Sequence, residues 1–329
     1  MNNKVFIIAE LSANHNNDFS LAVKTIEEIA KTGANAVKIQ TYTADSLTLD
    51  VDNEYFGPLK DGLWKGTRLY ELYTQASMPY EWQPKLKKVA EDLGLVFFSS
   101  PFDIEGVDFL ESIEVPLYKI ASFEITDIPL IKYVASKGKP IIISTGVAEI
   151  GDIELAVKTC REEGNNKITL LKCTSEYPAP VEAANLLTIP DLKQRFDVNV
   201  GVSDHTMGSI VPTVAVALGA KVVEKHFILD RKLGGPDSAF SMEPHEFTEM
   251  VRVVRATEAA LGKVVYEVSE RNKLRRRSLF VTNDIAEGEV FTYENIKSVR
   301  PGYGLHPKLL FDLIGTKAKR AFKKGEPLV

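Results

Sequence analysis

A (β/α)8 barrel followed by a small β-rich domain is the architecture that the sequence predicts, on three observations. Short apolar runs alternate with longer helix-like patterns eight times. Those eight units occupy roughly 250 residues, the usual size of such a barrel. Beyond Gly262 the rhythm stops, and short strand-like runs separated by turn residues take over.

The strand candidates are Val5–Glu10, Asn35–Gln40, Leu95–Ser99, Leu117–Ala121, Pro140–Thr145, Ile168–Thr174, Val198–Asp204 and Lys221–Phe227. They are rich in Val, Ile and Phe, as parallel strands covered on both faces must be. Between the first two, a helix begins near Ser20, a residue type suited to an N-cap. It places Ala22, Ile26, Ile29 and Ala30 on one face and stops at Gly33. The last helix of the series runs from about Pro244 to Leu261. There Phe247, Met250, Val251, Val254 and Leu261 fall at helical spacing, and Gly262 follows. An open, doubly wound sheet is the alternative, weakened because no glycine-rich dinucleotide fingerprint follows the first strand.

Two segments exceed a minimal barrel. Thr41 to Met78 is a long connection after the second strand, carrying Asp45, Tyr55, Trp64, Arg68 and Tyr70. Connections of that length cover a site or bind something. The second is the C-terminal extension, so the chain divides into a barrel (1–262), a linker (263–277) and a β-rich domain (278–329). The linker holds Arg271, Lys273, Arg275, Arg276 and Arg277, which read as a solvated connection rather than a binding patch. Ala286-Glu287-Gly288 and Lys323-Lys324-Gly325-Glu326 are turn signals of the last domain.

Forty Lys and Arg against 45 Asp and Glu leave a net charge of −5, which argues against nucleic acid or an anionic membrane as a partner. Cys160 and Cys173 cannot build a disulfide framework and lack metal-ligand spacing, so a reducing, cytoplasmic compartment is expected. Met1-Asn2-Asn3-Lys4 leads into an apolar run that Glu10 ends. That run is too short for a signal-peptide core or a membrane span.

Active sites of these barrels lie where the strands end, and here nearly every strand ends in polar residues. They are Glu10, Lys38 with Gln40, Ser99 with Ser100, Lys119 with Ser122, Ser144, Ser175, Ser203 with His205, and Glu224 with His226. Alternation along a strand sorts them. If Lys38 points into the barrel, so does Gln40; Ser203 and His205 share a face, as do Glu224 and His226. Lys225 and Lys172 fall on the opposite face. His205 and His226 end neighbouring strands and could hold a divalent metal; a hydrogen-bonded pair of core histidines is the alternative. Lys38 and Lys119, inward and buried, each need an anion, either Glu10 or Glu124 or a ligand carrying phosphate and carboxylate.

Six motifs, in order, carry a family resemblance. They are Ala9-Glu10-Leu-Ser-Ala-Asn14-His15-Asn16, Val37-Lys38-Ile-Gln40-Thr-Tyr, Tyr118-Lys119-Ile-Ala-Ser122, Ser144-Thr145-Gly146, Val202-Ser203-Asp204-His205 and Glu224-Lys225-His226-Phe227. Together they resemble the sialic acid synthase family over essentially the whole chain, and the C-terminal domain is similar to the SAF, or antifreeze-like, domain. The resemblance implies condensation of phosphoenolpyruvate with the aldehyde end of an amino sugar. It implies phosphoenolpyruvate held by Lys38, Lys119, Ser122, Ser144 and Ser203, and Mn2+ or Mg2+ on His205 and His226. Glu10 would shuttle protons, Asp237 would orient metal-bound groups, and Gln40 and Tyr177 would contact substrate. Arg300 would reach the sugar of a partner subunit's site, which requires a homodimer with exchanged C-terminal domains.

Within the family, residues 9–15, 62–73 and 237–241 resemble the branch acting on 2,4-diacetamido-2,4,6-trideoxy-L-altrose. Leu233-Gly234-Gly235-Pro236-Asp237 resembles the general sialate branch, and Ser175 stands where that branch carries Asn. A mannose-type sugar, giving sialic or legionaminic acid, is therefore the alternative substrate. More distant alternatives are a Schiff-base aldolase using Lys119 or Lys38, and a sugar- or ice-binding protein without activity.

Overall fold

In the computed structural model, which describes residues 4–329, eight parallel strands close into a barrel. They are β1 (Phe6–Glu10), β2 (Ala36–Thr41), β3 (Val96–Pro101), β4 (Tyr118–Ile120), β5 (Ile141–Ser144), β6 (Ile168–Cys173), β7 (Asn199–Asp204) and β8 (Val222–His226). β1 pairs with β2 on one side and β8 on the other, so Glu10 lies opposite both Lys38 and His226. The expected barrel is present, with helices between its strands, and the open-sheet alternative is excluded.

Alternation divides each strand between two environments. Ile7, Ala9, Val37, Ile39, Phe97, Ile143, Leu170, Val202 and Val223 join the large core between strands and helices. The residues between them point into the lumen, where Ile8, Ala36, Phe98, Ile142, Leu171 and Val222 form a separate apolar cluster. Two positions further along the same strands stand Glu10, Lys38, Ser100, Ser144, Cys173 and Glu224, all buried. The lumen is thus an apolar floor beneath a polar layer. Gly201 marks a close approach of β7 to β8: a Cβ there would lie 2.4 Å from the Val222 carbonyl oxygen.

The helix between β1 and β2 spans Phe19–Lys31. Its cap is Asp18, not Ser20: the Asp18 carboxylate accepts from the backbone N–H groups of Ser20 and Leu21, at 2.7 and 3.2 Å. The closing helix, Pro244–Leu261, lies where its periodicity placed it and ends at Gly262. In the long connection after β2, two short helices form, Ala44–Leu47 and Leu69–Ala76. Among the described residues no helix is long and apolar enough to cross a membrane.

The barrel unit ends at Gly262, and a second compact unit spans Lys263–Val329. Its first stretch holds a short helix, Glu270–Lys273, and Arg271 through Arg277 are exposed. β9 (Ser278–Val281) then pairs antiparallel with β10 (Ile296–Val299). Isolated bridges at Phe280–Pro327, Ile285–Phe322 and Val290–Lys317 complete the β-rich unit. Leu279, Val281, Ile285, Phe291, Ile296, Ala318 and Leu328 make its own core.

Candidate active site

A cavity opens at the C-terminal ends of the barrel strands, and its floor is the polar layer of the lumen. Lys38 Nζ lies 2.6 Å from Glu10 Oε2 and 3.9 Å from Glu224 Oε1, while Lys119 Nζ lies 3.1 Å from that same Glu224 oxygen. Ser203 Oγ donates to Glu224 Oε1 at 3.1 Å. Lys38 therefore takes Glu10 as one partner, as its sequence position suggested. Lys119 takes Glu224 rather than Glu10 or Glu124.

Two cations and two carboxylates buried together do not titrate alike. Burial raises Glu10 to about 7, against the pull of Lys38. Burial would also raise Glu224, but Lys119 and Lys38 outweigh it and hold that carboxyl well below its ordinary range. Carboxyls driven apart in this way are how a site keeps one group charged and another able to exchange a proton near neutrality. Lys38 is pushed up, because Glu10 and Glu224 outweigh its burial, so it is an ammonium ion at neutral pH.

The two histidines meet at the rim, with ring centroids 5.3 Å apart. His205 Nδ1 lies 2.9 Å from the Thr174 carbonyl oxygen; donation there fixes the tautomer and leaves the Nε2 lone pair free. His226 Nδ1 is buried with no hydrogen-bond partner and lies 3.9 Å from Asp237 Oδ2. Burial, reinforced by His205, Lys38, Lys119 and Lys225, keeps His226 neutral. Asp237 is in turn held by the Ala13 N–H, 3.3 Å from its Oδ2. Among the described residues no three His, Cys, Asp or Glu side chains form a ready-made metal cluster. What the rim offers is two imidazoles, of which His226 is neutral with an unpartnered nitrogen, and an adjacent carboxylate. That donor set fits a divalent ion that completes its coordination with substrate or water oxygens.

The remaining expected residues divide. Gln40, Ser122, Ser144 and Tyr177 line the cavity with Ser203 and Asp237. Ser144 Oγ is buried and unpartnered, and the Gly146 N–H donates to Ser122 Oγ at 3.1 Å. Tyr177 stacks at a tilt on His205, centroids 4.5 Å apart. Ser175 stands beside Gly146, where a Cβ would come within 2.2 Å of its Oγ, and 3.9 Å separates that oxygen from Cys173 Sγ. Arg300 belongs to the second unit, exposed, directly after β10.

The family model described as the NeuB family matches residues 25–266, and the SAF domain model matches residues 276–329. The chain belongs to the NeuB family. It is 47% identical to the pseudaminic acid synthase of Campylobacter jejuni over 99% of this chain and 95% of that one. Identity to the N,N'-diacetyllegionaminic acid synthase of Legionella pneumophila is 36%, over 98% of this chain and 93% of that one. Among solved structures, the N-acetylneuraminic acid synthetase of Leptospira borgpetersenii superposes with a TM-score of 0.73 at 34% identity. That match covers 83% of this chain and 90% of the other.

The sequence placed Glu224 at the strand ends, on the face of His226; only its partner across the lumen was hidden. Glu124 lines the cavity with one buried, unpartnered oxygen, and burial raises it to about 7. The connection after β2 folds back so that Leu47, Trp64, Leu69, Leu72 and Ala76 line one side. Trp64 Nε1–H donates to the Pro236 carbonyl at 3.1 Å, tying that connection to the loop after β8. Of the two aromatic residues that the sequence offered for sugar contact from this segment, Trp64 lines the cavity, whereas the Tyr70 hydroxyl donates to Asp45 at 3.3 Å.

Proposed function

We propose that the protein condenses phosphoenolpyruvate with 2,4-diacetamido-2,4,6-trideoxy-L-altrose to give pseudaminic acid and inorganic phosphate. The observation that carries the reading is the polar layer itself. Two buried ammonium groups, two carboxylates and two imidazoles converge at the end of an otherwise apolar lumen. Lys38, Lys119, Ser122, Ser144 and Ser203 bind the phosphate and carboxylate of phosphoenolpyruvate, matching two anionic groups with two cations and three hydroxyls. Gln40, Ser175 and Tyr177 contact the sugar.

His205 and His226 would hold a divalent ion, Mn2+ or Mg2+, with Asp237 orienting its ligands; when bound, the ion supplies Lewis-acid polarisation of the sugar aldehyde. Carbon 3 of phosphoenolpyruvate forms a bond to the aldehyde carbon, whose oxygen takes up a proton. Water adds to carbon 2, and Glu10, poised near neutrality, takes the proton that this water sheds. The new hydroxyl at carbon 2 then loses its proton as the bond to the phosphate oxygen breaks, leaving the ketone and phosphate. Water is consumed once, and no oxidant or reductant enters. A Schiff-base route through Lys38 is disfavoured because that amine is held protonated by its carboxylates.

The apolar part of the lining favours the altrose-type sugar. Leu47, Leu69, Leu72 and Ala76, with Phe102, offer methyl-sized apolar contacts, which suit a 6-deoxy, diacetamido sugar better than one with a free C6 hydroxyl. The reading includes a homodimer in which the partner's Arg300 approaches the sugar, proposed on the family resemblance. The test is phosphate release from phosphoenolpyruvate and Mn2+ with either the altrose-type sugar or N-acetylmannosamine, with and without chelator. Chelator-sensitive release with the altrose sugar alone is expected. Release with N-acetylmannosamine alone would move the substrate to the sialate branch, and release that survives complete chelation would remove the metal.

A further inference from the structure

Asp204 and Lys225 each precede a rim histidine by one residue and point away from the lumen. They are opposed in the β7–β8 register. Lys225 Nζ lies 2.7 Å from Asp204 Oδ2, with the two side chains 0% and 2% exposed. The same ammonium donates to the Thr206 carbonyl at 2.5 Å. Asp204 accepts from the Thr206 N–H at 2.9 Å and from Thr206 Oγ1 at 3.1 Å. The residues before and after His205 are thereby fastened to each other, and both to the residue before His226.

Stability does not require this arrangement. Val202 and Val223, outward-facing on the same two strands, pack in the apolar core, and an apolar pair could continue it. Replacing a buried ion pair by apolar residues of similar volume is often neutral or stabilising, because desolvation offsets the attraction. What an apolar pair lacks is direction. Four polar contacts of defined geometry hold the ends of two strands in one relation, and the imidazoles leave the backbone there.

We propose that the Asp204–Lys225 pair, closed through Thr206, is a positioning staple that sets the separation and orientation of His205 and His226 for a divalent ion. It rests on the metal reading above and assigns a role to two charged residues that touch no substrate. Loss of such supporting contacts around ligating histidines typically weakens metal binding 10- to 100-fold.

The test uses full-length protein and Mn2+ alone as probe, with free Mn2+ followed by electron paramagnetic resonance and folding by thermal unfolding. In Asp204→Leu/Lys225→Met the melting temperature is expected to stay level or rise, while the Mn2+ dissociation constant rises about 10- to 100-fold. Thr206→Val keeps the ion pair and removes one hydrogen bond; about a threefold rise is expected, at the low end of such losses. A folded double variant that binds Mn2+ as the wild type does would overturn the staple and leave the metal reading standing. Should the double variant not fold, unchanged affinity in Thr206→Val overturns it instead. No Mn2+ binding by the wild type would overturn the metal reading, and the staple with it.

Discussion

The floor of the lumen and the layer above it are two residues apart on the same strands, yet they follow opposite rules. Below, Ile8, Ala36, Phe98, Ile142, Leu171 and Val222 fill space with apolar side chains. Above, Glu10, Lys38, Lys119 and Glu224 are buried as charges. Apolar burial contributes stability wherever it occurs, whereas a buried ion pair contributes little net stability and costs much when broken. The floor is therefore built for folding. The layer above it is tolerated by the fold because chemistry needs it, and substitutions should separate the two.

The largest effect is expected where the upper layer is rewritten in the language of the floor. Lys119→Met/Glu224→Leu replaces a 3.1 Å ion pair with apolar volume, so unfolding free energy should hold or rise by ~1–4 kcal/mol. Phosphate release should fall at least roughly a thousandfold, the cost of removing a buried charge from a bound anion. A variant both destabilised and active would reverse the contrast. In the floor, Phe98→Ala should do the opposite. Phe98 is fully buried, so about 3–5 kcal/mol of stability is expected to go, with turnover per folded molecule kept within a few-fold. Denaturant unfolding beside active-site titration checks both.

Acidity sharpens the comparison next. Glu124 lies at the cavity with a pKa raised by burial from 4.5 to about 7. Below pH 4.5 it is protonated whether folded or not. Between 4.5 and 7 the folded protein keeps a proton that the unfolded chain has lost, so this group's stabilising contribution is lost as pH rises through 7. The change amounts to about 3 kcal/mol. Glu124→Gln should remove that slope: relative to wild type, its melting temperature should be higher at pH 8 than at pH 5. Parallel profiles for the two proteins would show that Glu124 is not buried in this way. His15 tilts the other way in both proteins, since burial lowers it to about 4 and its neutral form is lost below that range.

Much of this was legible in the sequence because a strand has period two. Lys38 with Gln40, Ser203 with His205, and Glu224 with His226 share faces wherever the strand is regular, and the lumen keeps that order. Interactions across the lumen were not legible. Lys119 and Glu224 are 105 residues apart, and nothing local distinguishes that pairing from one with Glu124, five residues away. Likewise Asp18 and Ser20 are both good capping residues, and only the direction of the entering chain selects Asp18. Parity correctly turned Lys225 away from the cavity. It could not reveal that the outward position was sealed, with a carboxylate waiting on the neighbouring strand.

The smallest effect tests the wall contributed by the connection after β2. Leu72 is buried on the helix Leu69–Ala76 and lines the cavity. A pocket that recognises a methyl group rejects its hydroxylated counterpart by only about 1–3 kcal/mol, or 10- to 200-fold. Leu72→Asn should therefore narrow the preference for the 6-deoxy, diacetamido sugar over N-acetylmannosamine by about tenfold in kcat/KM. The KM for phosphoenolpyruvate should not move, because an apolar side chain offers its phosphate and carboxylate no bond. Equal losses for both sugars would mean that Leu72 only supports the fold of the connection. The selecting contacts would then lie elsewhere on that wall, with Leu47 and Leu69 the next to exchange.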